Sequence, residues 1–482
     1  MLTGYLYLFI HGFLLLLAFR RRLRRLGPVR PHPPAAGTGL WLTYRLRAVQ
    51  VRKLFSALRL GFLDREDDGG EGDITQYQAL TTALAATVGV GNIVGVATAI
   101  SVGGPGALVW MWITGFVGMA SKYSEAFLGV RFRETDSQGT MSGGPMRYLA
   151  KGIPNGFGAF LGWFFTIAAI IASFGIGNLT QTNAIATGLE DSFQIDPWVS
   201  GIFMFILVGA VLLGGIQAIG KITSGFVPLM ILVYIVGGTV VLAMKADQIP
   251  HALNLIFTDA FTGTAAVGGF AGSSIIIAIQ MGVARGIFSN ESGMGSAAIA
   301  AGAAKTTHPV RQGLVSMTQT FIDTIIVVTF TGLVVITTGV WDHGEEAAGT
   351  MTADAFSSAL PGQWGGTIVS LSIMFFAFST ILGWSYYGER CAQRAFGRWG
   401  SLPYRMVFTA VVFIGATTEL STVWTFADLA NGLMAIPNLI GLLILSGLVA
   451  RETKAYLDWD PGLKANAEQC AAFLKEQGTD WR

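Results

Sequence analysis

Charged side chains are scarce: 12% of the 482 residues are Asp, Glu, Lys or Arg, against 52% apolar. An ordinary soluble domain is about a quarter charged, so this proportion cannot clothe a water-facing surface and a soluble globular class is excluded. Cysteine is nearly missing. The two present, Cys391 and Cys470, fall in a basic loop and in a polar tail expected in the cytoplasm, which argues against a structural disulfide. Histidine is sparse too. His11, His32, His251, His308 and His343 are scattered at the ends of apolar runs and in loops, so neither a metal spacing nor a nucleophile beside a base is offered, and an intramembrane enzyme is not expected. Also missing are the ~10-residue alternating segments of a membrane barrel.

What the chain has is glycine, 63 of them, and apolar runs of roughly 20 residues, the length a helix needs to cross ~30 Å of hydrocarbon. The mean hydropathy is +0.56. Eleven candidate spans are read, at about 2–19, 78–101, 106–130, 157–189, 197–214, 222–244, 266–299, 312–338, 366–388, 402–418 and 423–449. The first carries its arginines (Arg20, Arg21, Arg22, Arg24, Arg25) after the apolar run, the reverse of a cleavable leader, and reads as a retained helix entering from outside. If the sides then alternate, the inner connections hold Arg131, Arg133, Arg147, Lys151, Lys221, Lys305, Arg311, Arg390 and Arg394, and the outer ones only Lys245. This bias places inner loops in the cytoplasm, with the N-terminus outside and the tail 451–482 inside. Residues 1–77 form a first helix and a basic linker, and 78–450 the core. Within the linker, 39–62 reads as an amphipathic helix on the inner leaflet or a solvated connection, and 28–34, with four prolines, as irregular.

Spans two to six and seven to eleven make five plus five (about 78–245 and 266–449), the plan of transporters built from two inverted halves, each with a broken helix. One break is expected at Thr87–Val88–Gly89–Val90–Gly91–Asn92, the other near Gln280–Met281–Gly282 after Gly268, Gly269 and Gly272. A break in lipid frees amides and carbonyls that must be paired. Amides at a half-helix start suit a carboxylate, and carbonyls at a half-helix end suit a bare cation. The competing reading is that Gly89, Gly91 and Gly95 only allow close helix packing. Lys122 and Glu125, three apart, read as an ion pair near the inner face without a substrate role.

The run from Gln78 through Thr87–Val88–Gly89–Val90–Gly91–Asn92 to Ala97, then Gly103–Gly104–Pro105–Gly106–Ala107 and Trp110–Met111–Trp112, resembles the alanine/glycine:cation symporter family. Met141–Ser142–Gly143–Gly144–Pro145–Met146, Gly177–Asn178 with Gln181 and Asn183, and Arg285 to Ser296 running on to His308–Pro309 agree with it. The resemblance covers about Leu40 to Arg451; residues up to Gly37 depart from it, and Ser292 replaces the family's usual alanine. It implies an all-α, leucine-transporter-like fold of about eleven membrane helices, counting one extra N-terminal helix. It also implies coupled uptake of a small neutral amino acid, alanine or glycine, driven by Na⁺ or by H⁺, across the cell membrane. By the same resemblance the substrate carboxylate sits on Gly89, Val90 and Gly91 with Asn92 and Gln181 nearby, and Gln280 and Gly282 line the opposite break. Thr380 and Trp384 share a helical face, where the indole caps a small cavity or serves packing. A sodium site would use carbonyls near Ala85 and Val88 with the hydroxyls of Ser379 and Thr380, unless those hydroxyls only bond back to their own helix. Asp323 is costly inside a span; with Asn92 and Thr320 it offers a second cation site, takes a proton, or serves structure. No cofactor beyond Na⁺ and no nucleic-acid partner is expected. A channel is the rival class, told apart by whether substrate accumulates against its gradient.

Overall fold

The computed structural model describes residues 32–64, 69–136, 139–262, 275–342, 348–362, 364–418 and 420–477. The first expected span and the glycines Gly268, Gly269 and Gly272 lie outside them. A capping box opens the core. Thr75 Oγ1 accepts the N–H of Gln78 at 3.1 Å and Gln78 Oε1 accepts the N–H of Thr75 at 3.0 Å, satisfying amides that a helix start leaves unpaired.

The chain runs through α1 (His32–Arg45), α2 (Leu54–Phe62), α3 (Gln76–Thr87), α4 (Val96–Gly103), α5 (Ala107–Arg131), α6 (Pro145–Gly152) and α7 (Asn155–Phe174). It continues with α8 (Thr180–Phe193), α9 (Pro197–Leu212), α10 (Gly215–Met244), α11 (Ile249–Thr262), α12 (Ile275–Asn290) and α13 (Ala297–Gly302). The last elements are α14 (Pro309–Thr320), α15 (Thr329–Thr338), α16 (Met351–Ala359), α17 (Trp364–Phe396), α18 (Ser401–Ala416), α19 (Leu420–Trp459) and α20 (Ala467–Glu476). Three wide π-type turns, Gly91–Gly95, Gly175–Leu179 and Phe321–Val328, join α3/α4, α7/α8 and α14/α15. A small antiparallel ribbon, Glu134–Thr135 with Met141–Ser142, lies between α5 and α6.

Among the described residues, five helical stretches are long and apolar enough to cross a bilayer: Asn155–Phe193, Gly215–Met244, Pro309–Thr338, Trp364–Ala416 and Val423–Trp459. The pair Gln76–Thr87 and Gly91–Gly103, bent by 55°, makes a sixth. Outward-facing Phe203, Ile206, Leu232, Val233 and Val407 are exposed, as lipid contact requires, while the interior holds polar and charged side chains. The protein is thus helical and multi-pass.

The structure departs from the sequence expectation in four places. The helix α12 runs unbroken through Gln280, Met281 and Gly282, and the second interruption falls at 291–296, where Glu291, Gly293 and Gly295 take φ of 57°, 88° and 83°. A lone glycine in an apolar helix has no reason to give up its hydrogen bonds. At Gly282 the missing Cβ instead admits α5, since a Cβ there would meet Ala107 O at 2.3 Å. The stretch 39–62 is neither a loose linker nor a free surface helix: α1 packs on α5 and α19, and α2 on α14. Cys391 lies buried inside α17, which continues to Phe396, rather than in a loop. The connections expected outside carry helices of their own, α11 and α16, and both dock on the core: Gly106 N–H donates to Asp259 Oδ2 at 2.8 Å and Thr352 Oγ1 to Ile93 O at 3.4 Å.

Candidate functional site

At the first break α3 stops at Val88, whose N–H still bonds Leu84 O at 2.8 Å. The next two amides turn to side chains. Gly89 N–H donates to Asn92 Oδ1 at 2.9 Å, and Val90 N–H to Gln181 Oε1 at 3.2 Å. Both groups are buried. Two amide oxygens therefore occupy the positions that the oxygens of a carboxylate would take on a half-helix start.

One turn earlier, Ala85 O accepts Thr380 Oγ1 at 3.0 Å and Ser379 Oγ at 3.3 Å. The same hydroxyls also reach Phe376 O, at 3.0 and 2.8 Å, so the back-bonding and the expected meeting with α3 occur together. Helices α3 and α17 approach this closely because Gly383 faces Ala86: a Cβ there would lie 2.7 Å from Ala86 Cβ. The result is a compact set of hard oxygens, which fits an alkali cation. No cluster of His, Cys, Asp or Glu that would hold another kind of metal exists among the described residues.

Asn92 also gives its Nδ2 to Asp323 Oδ1 at 2.8 Å. Asp323 Oδ2 takes Ser289 Oγ at 2.9 Å and Thr324 Oγ1 at 2.7 Å, so this wholly buried carboxylate meets only uncharged donors. Thr320, expected beside it, instead pairs with Ser292 Oγ at 3.2 Å. Two of the three π-type turns, Gly91–Gly95 and Phe321–Val328, touch here, and such turns recur where helices serve function.

The second break is held differently. Lys122 Nζ donates to Glu291 O at 3.2 Å and lies 3.9 Å from Glu125 Oε2; both side chains of that ion pair are wholly buried. Glu125 Oε1 accepts Gly295 N–H at 3.0 Å and Asn438 Nδ2 at 2.8 Å, and Asn438 Nδ2 also reaches Gly293 O at 2.9 Å. Trp384 links the breaks: its indole N–H donates to Glu291 Oε1 at 2.7 Å, and it lies one turn beyond Thr380. Its seat depends on Gly177, where a Cβ would fall 2.2 Å from Trp384 Cβ.

The model of the sodium:alanine symporter family matches residues 35–469, the whole of this constellation. The chain belongs to that family. It is 50% identical over 424 residues to the sodium/alanine symporter AgcS of Methanococcus maripaludis, covering 87% of this chain and 92% of the relative. It is also 48% identical over 421 residues to an uncharacterized transporter of Haemophilus influenzae, covering 87% and 91%. The crystal structure of MhsT in complex with L-phenylalanine superposes with a TM-score of 0.57 at 13% identity, over 84% of this chain and 93% of the other. That likeness shows a shared fold, the leucine-transporter-like one. The protein is a membrane transporter and not an enzyme.

In this symporter, Gly89, Val90, Asn92, Gln181 and Thr380 converge, and Ala85, Ser379 and Thr380 form a second group one turn away. Gly91 packs against Phe288, a Cβ there meeting Phe288 Cδ1 at 3.2 Å. Gln280 and Gly282 stand apart on the continuous part of α12, Gln280 exposed and Gly282 against α5. Sequence reasoning missed Glu291, Asn438, Ser289 and Phe288, and set Lys122 and Glu125 aside. The signal was available in the left-handed glycines of Asn290–Glu291–Ser292–Gly293–Met294–Gly295 and in charges placed mid-span. Also missed was the cover of Phe288, its ring tilted against that of Trp424 with centroids 4.7 Å apart, with the Arg285 guanidinium 4.7 Å over Trp424 and ion-paired to Asp428 at 3.3 Å.

Proposed function

We propose that this symporter imports a small neutral amino acid, alanine or glycine, together with Na⁺. One observation carries the reading: the freed amides of Gly89 and Val90 are held by side-chain amide oxygens of Asn92 and Gln181, exchangeable partners standing where a carboxylate binds. Unlike a backbone bond, such a partner can swing away. The amino-acid carboxylate then takes the amides of Gly89, Val90 and Gly91, while Gln181 and Asn92 turn to flank it. Trp384, seated against Gly177, limits the space beside Thr380, which favours a side chain no larger than a methyl group or two.

Na⁺ fits next to this site. Ala85 O, Ser379 Oγ and Thr380 Oγ1 supply oxygens, with the end of α3 at Val88 presenting the partial negative charge of a helix C-terminus. Asp323 with Asn92 is a second candidate cation position, joined to the substrate through the one side chain that touches both.

The two ends of the molecule support alternation between breaks. At one end Phe288 and Trp424 cover Gly91. At the other, Arg133 ties Glu71 O and Ala304 O, each at 2.8 Å, so the segment leading into α3 is fastened to the segment leaving α13. We place the latter end in the cytoplasm, with the tail, because the arginines gather there. Opening either fastening exposes the same amides. Uptake of labelled alanine or glycine into proteoliposomes, with and without an inward Na⁺ gradient, tests the reading: concentrative uptake that collapses without the gradient is expected, and equilibration alone refutes it.

A further inference from the structure

The second break holds more negative charge than it can neutralise. Glu125, Glu291 and Asp323 are wholly buried, and Lys122 is the one ammonium among them. Charge in that setting must be paired or removed. Lys122 serves Glu125, 3.9 Å from Oε2, and gives its other contact to the carbonyl of Glu291 rather than to its carboxylate. The Glu291 carboxylate receives the indole N–H of Trp384 at 2.7 Å and the hydroxyl of Ser296, both uncharged.

A metal cation does not suit this carboxylate. An indole N–H cannot turn to offer an oxygen, and the ammonium of Lys122 repels a second cation. A proton needs no coordination shell, and once Glu291 carries it the Ser296 hydroxyl reverses from donor to acceptor. A separate observation points the same way. The hydroxyl of Tyr387 is buried without a hydrogen-bond partner among the described residues, and its ring lies 5.6 Å from that of Trp384, whose indole N–H holds Glu291. Buried polar atoms left open call for water or a proton.

We infer that Glu291 binds one proton when the transporter is closed and releases it when the second break opens to water. The proton comes from hydronium as the site closes, turning carboxylate to carboxylic acid, and returns to bulk water on opening. The groups acting on it are Lys122 from α5, Asp323 from the Phe321–Val328 turn, and Trp384 and Tyr387 from α17; Glu125 joins through Lys122, and Tyr148 adjoins Glu125 through Asn438. The inference rests on alternating access as proposed above and adds a proton site distinct from the Na⁺ positions.

The test is an infrared titration of the protonated-carboxyl stretch of the full chain in lipid nanodiscs, between about pH 5 and pH 9. One titrating carboxyl is expected to vanish in Glu291→Gln. In Ser296→Ala, which removes a donor to the charged form, its midpoint should rise by about half to one pH unit. A wild-type chain with no such titration, a signal that persists in Glu291→Gln, or an unmoved midpoint in Ser296→Ala overturns the inference. If Glu291→Gln does not fold, the Ser296→Ala shift decides alone. Uptake assays keep the two readings apart. Na⁺-driven alanine uptake without a Glu291 titration removes only the proton, and the titration without such uptake removes only the substrate reading.

Discussion

The two breaks answer the same physical demand in opposite ways. At the first, freed amides meet the neutral oxygens of Asn92 and Gln181; at the second, freed groups of Glu291, Gly293 and Gly295 meet Lys122, Glu125 and Asn438. Neutral side-chain amides are exchanged for a ligand at little cost, since one hydrogen bond replaces another. A buried ion pair is not, because separating it leaves an uncompensated charge in a poor dielectric. The comparison teaches a division of labour. The first break, held by exchangeable neutral groups, suits trading partners with a ligand, whereas the second is fastened by side chains from α5, α17 and α19, charged ones among them.

The strongest way to break that contrast is Lys122→Met. Removing one side of a buried pair costs about 3–5 kcal/mol, so thermal unfolding in detergent should drop steeply and uptake should vanish; an unchanged melting temperature would mean that ions do not hold the second break. Asn92→Ala, by comparison, removes a donor to a buried carboxylate and an acceptor for Gly89, about 1.5–3 kcal/mol. The Na⁺ concentration for half-maximal uptake should rise about ten-fold or more, with the fold retained. Gly177→Ala sharpens the link between the breaks. Its Cβ would collide with Trp384, an overpacking of about 1–3 kcal/mol, and uptake should fall several-fold, whereas Gly188→Ala, whose Cβ meets nothing nearer than Ser370 Oγ at 4.0 Å, should be silent.

The smallest effect lies far from both breaks, where the tail docks. Burial pushes the Asp460 carboxyl up, but the N–H groups of Ala465 and Lys464 and the Arg311 guanidinium outweigh it and hold the group below the usual carboxylate range. A lowered folded value stabilises the docking above the unfolded value, ~4, and that contribution is lost as pH falls through the folded one. Limited proteolysis should therefore find 461–466 more open in acid, and Asp460→Asn should open it at neutral pH, with Na⁺-driven uptake changed least of all these variants.

Much of this was legible from local chemistry. Apolar runs gave the membrane helices, and the Val88–Gly89–Val90–Gly91–Asn92 run marked the first break because a polar amide sits mid-span among small residues. Ala85, Ser379 and Thr380 were grouped by resemblance, and α3 and α17 do meet there. The misplacement of the second break at Gln280–Gly282 had a physical cause: glycine permits a break without requiring one, and the deciding partners, Lys122, Glu125 and Asn438, lie on α5 and α19, remote in sequence. Thr320 does not bond Asp323 for a similar reason, its hydroxyl pairing with Ser292 across the break.

Composition and hydropathic spacing by themselves determined that this chain lives in a membrane as helices, because that outcome depends on side-chain polarity and span length, and the Val88–Asn92 run marked where one helix could open. Only the tertiary structure decided where the second helix opens, and that Glu291, Trp384 and Lys122 form one group. Whether a backbone bond can be surrendered in lipid depends on what stands opposite it, and that is set by packing between distant helices.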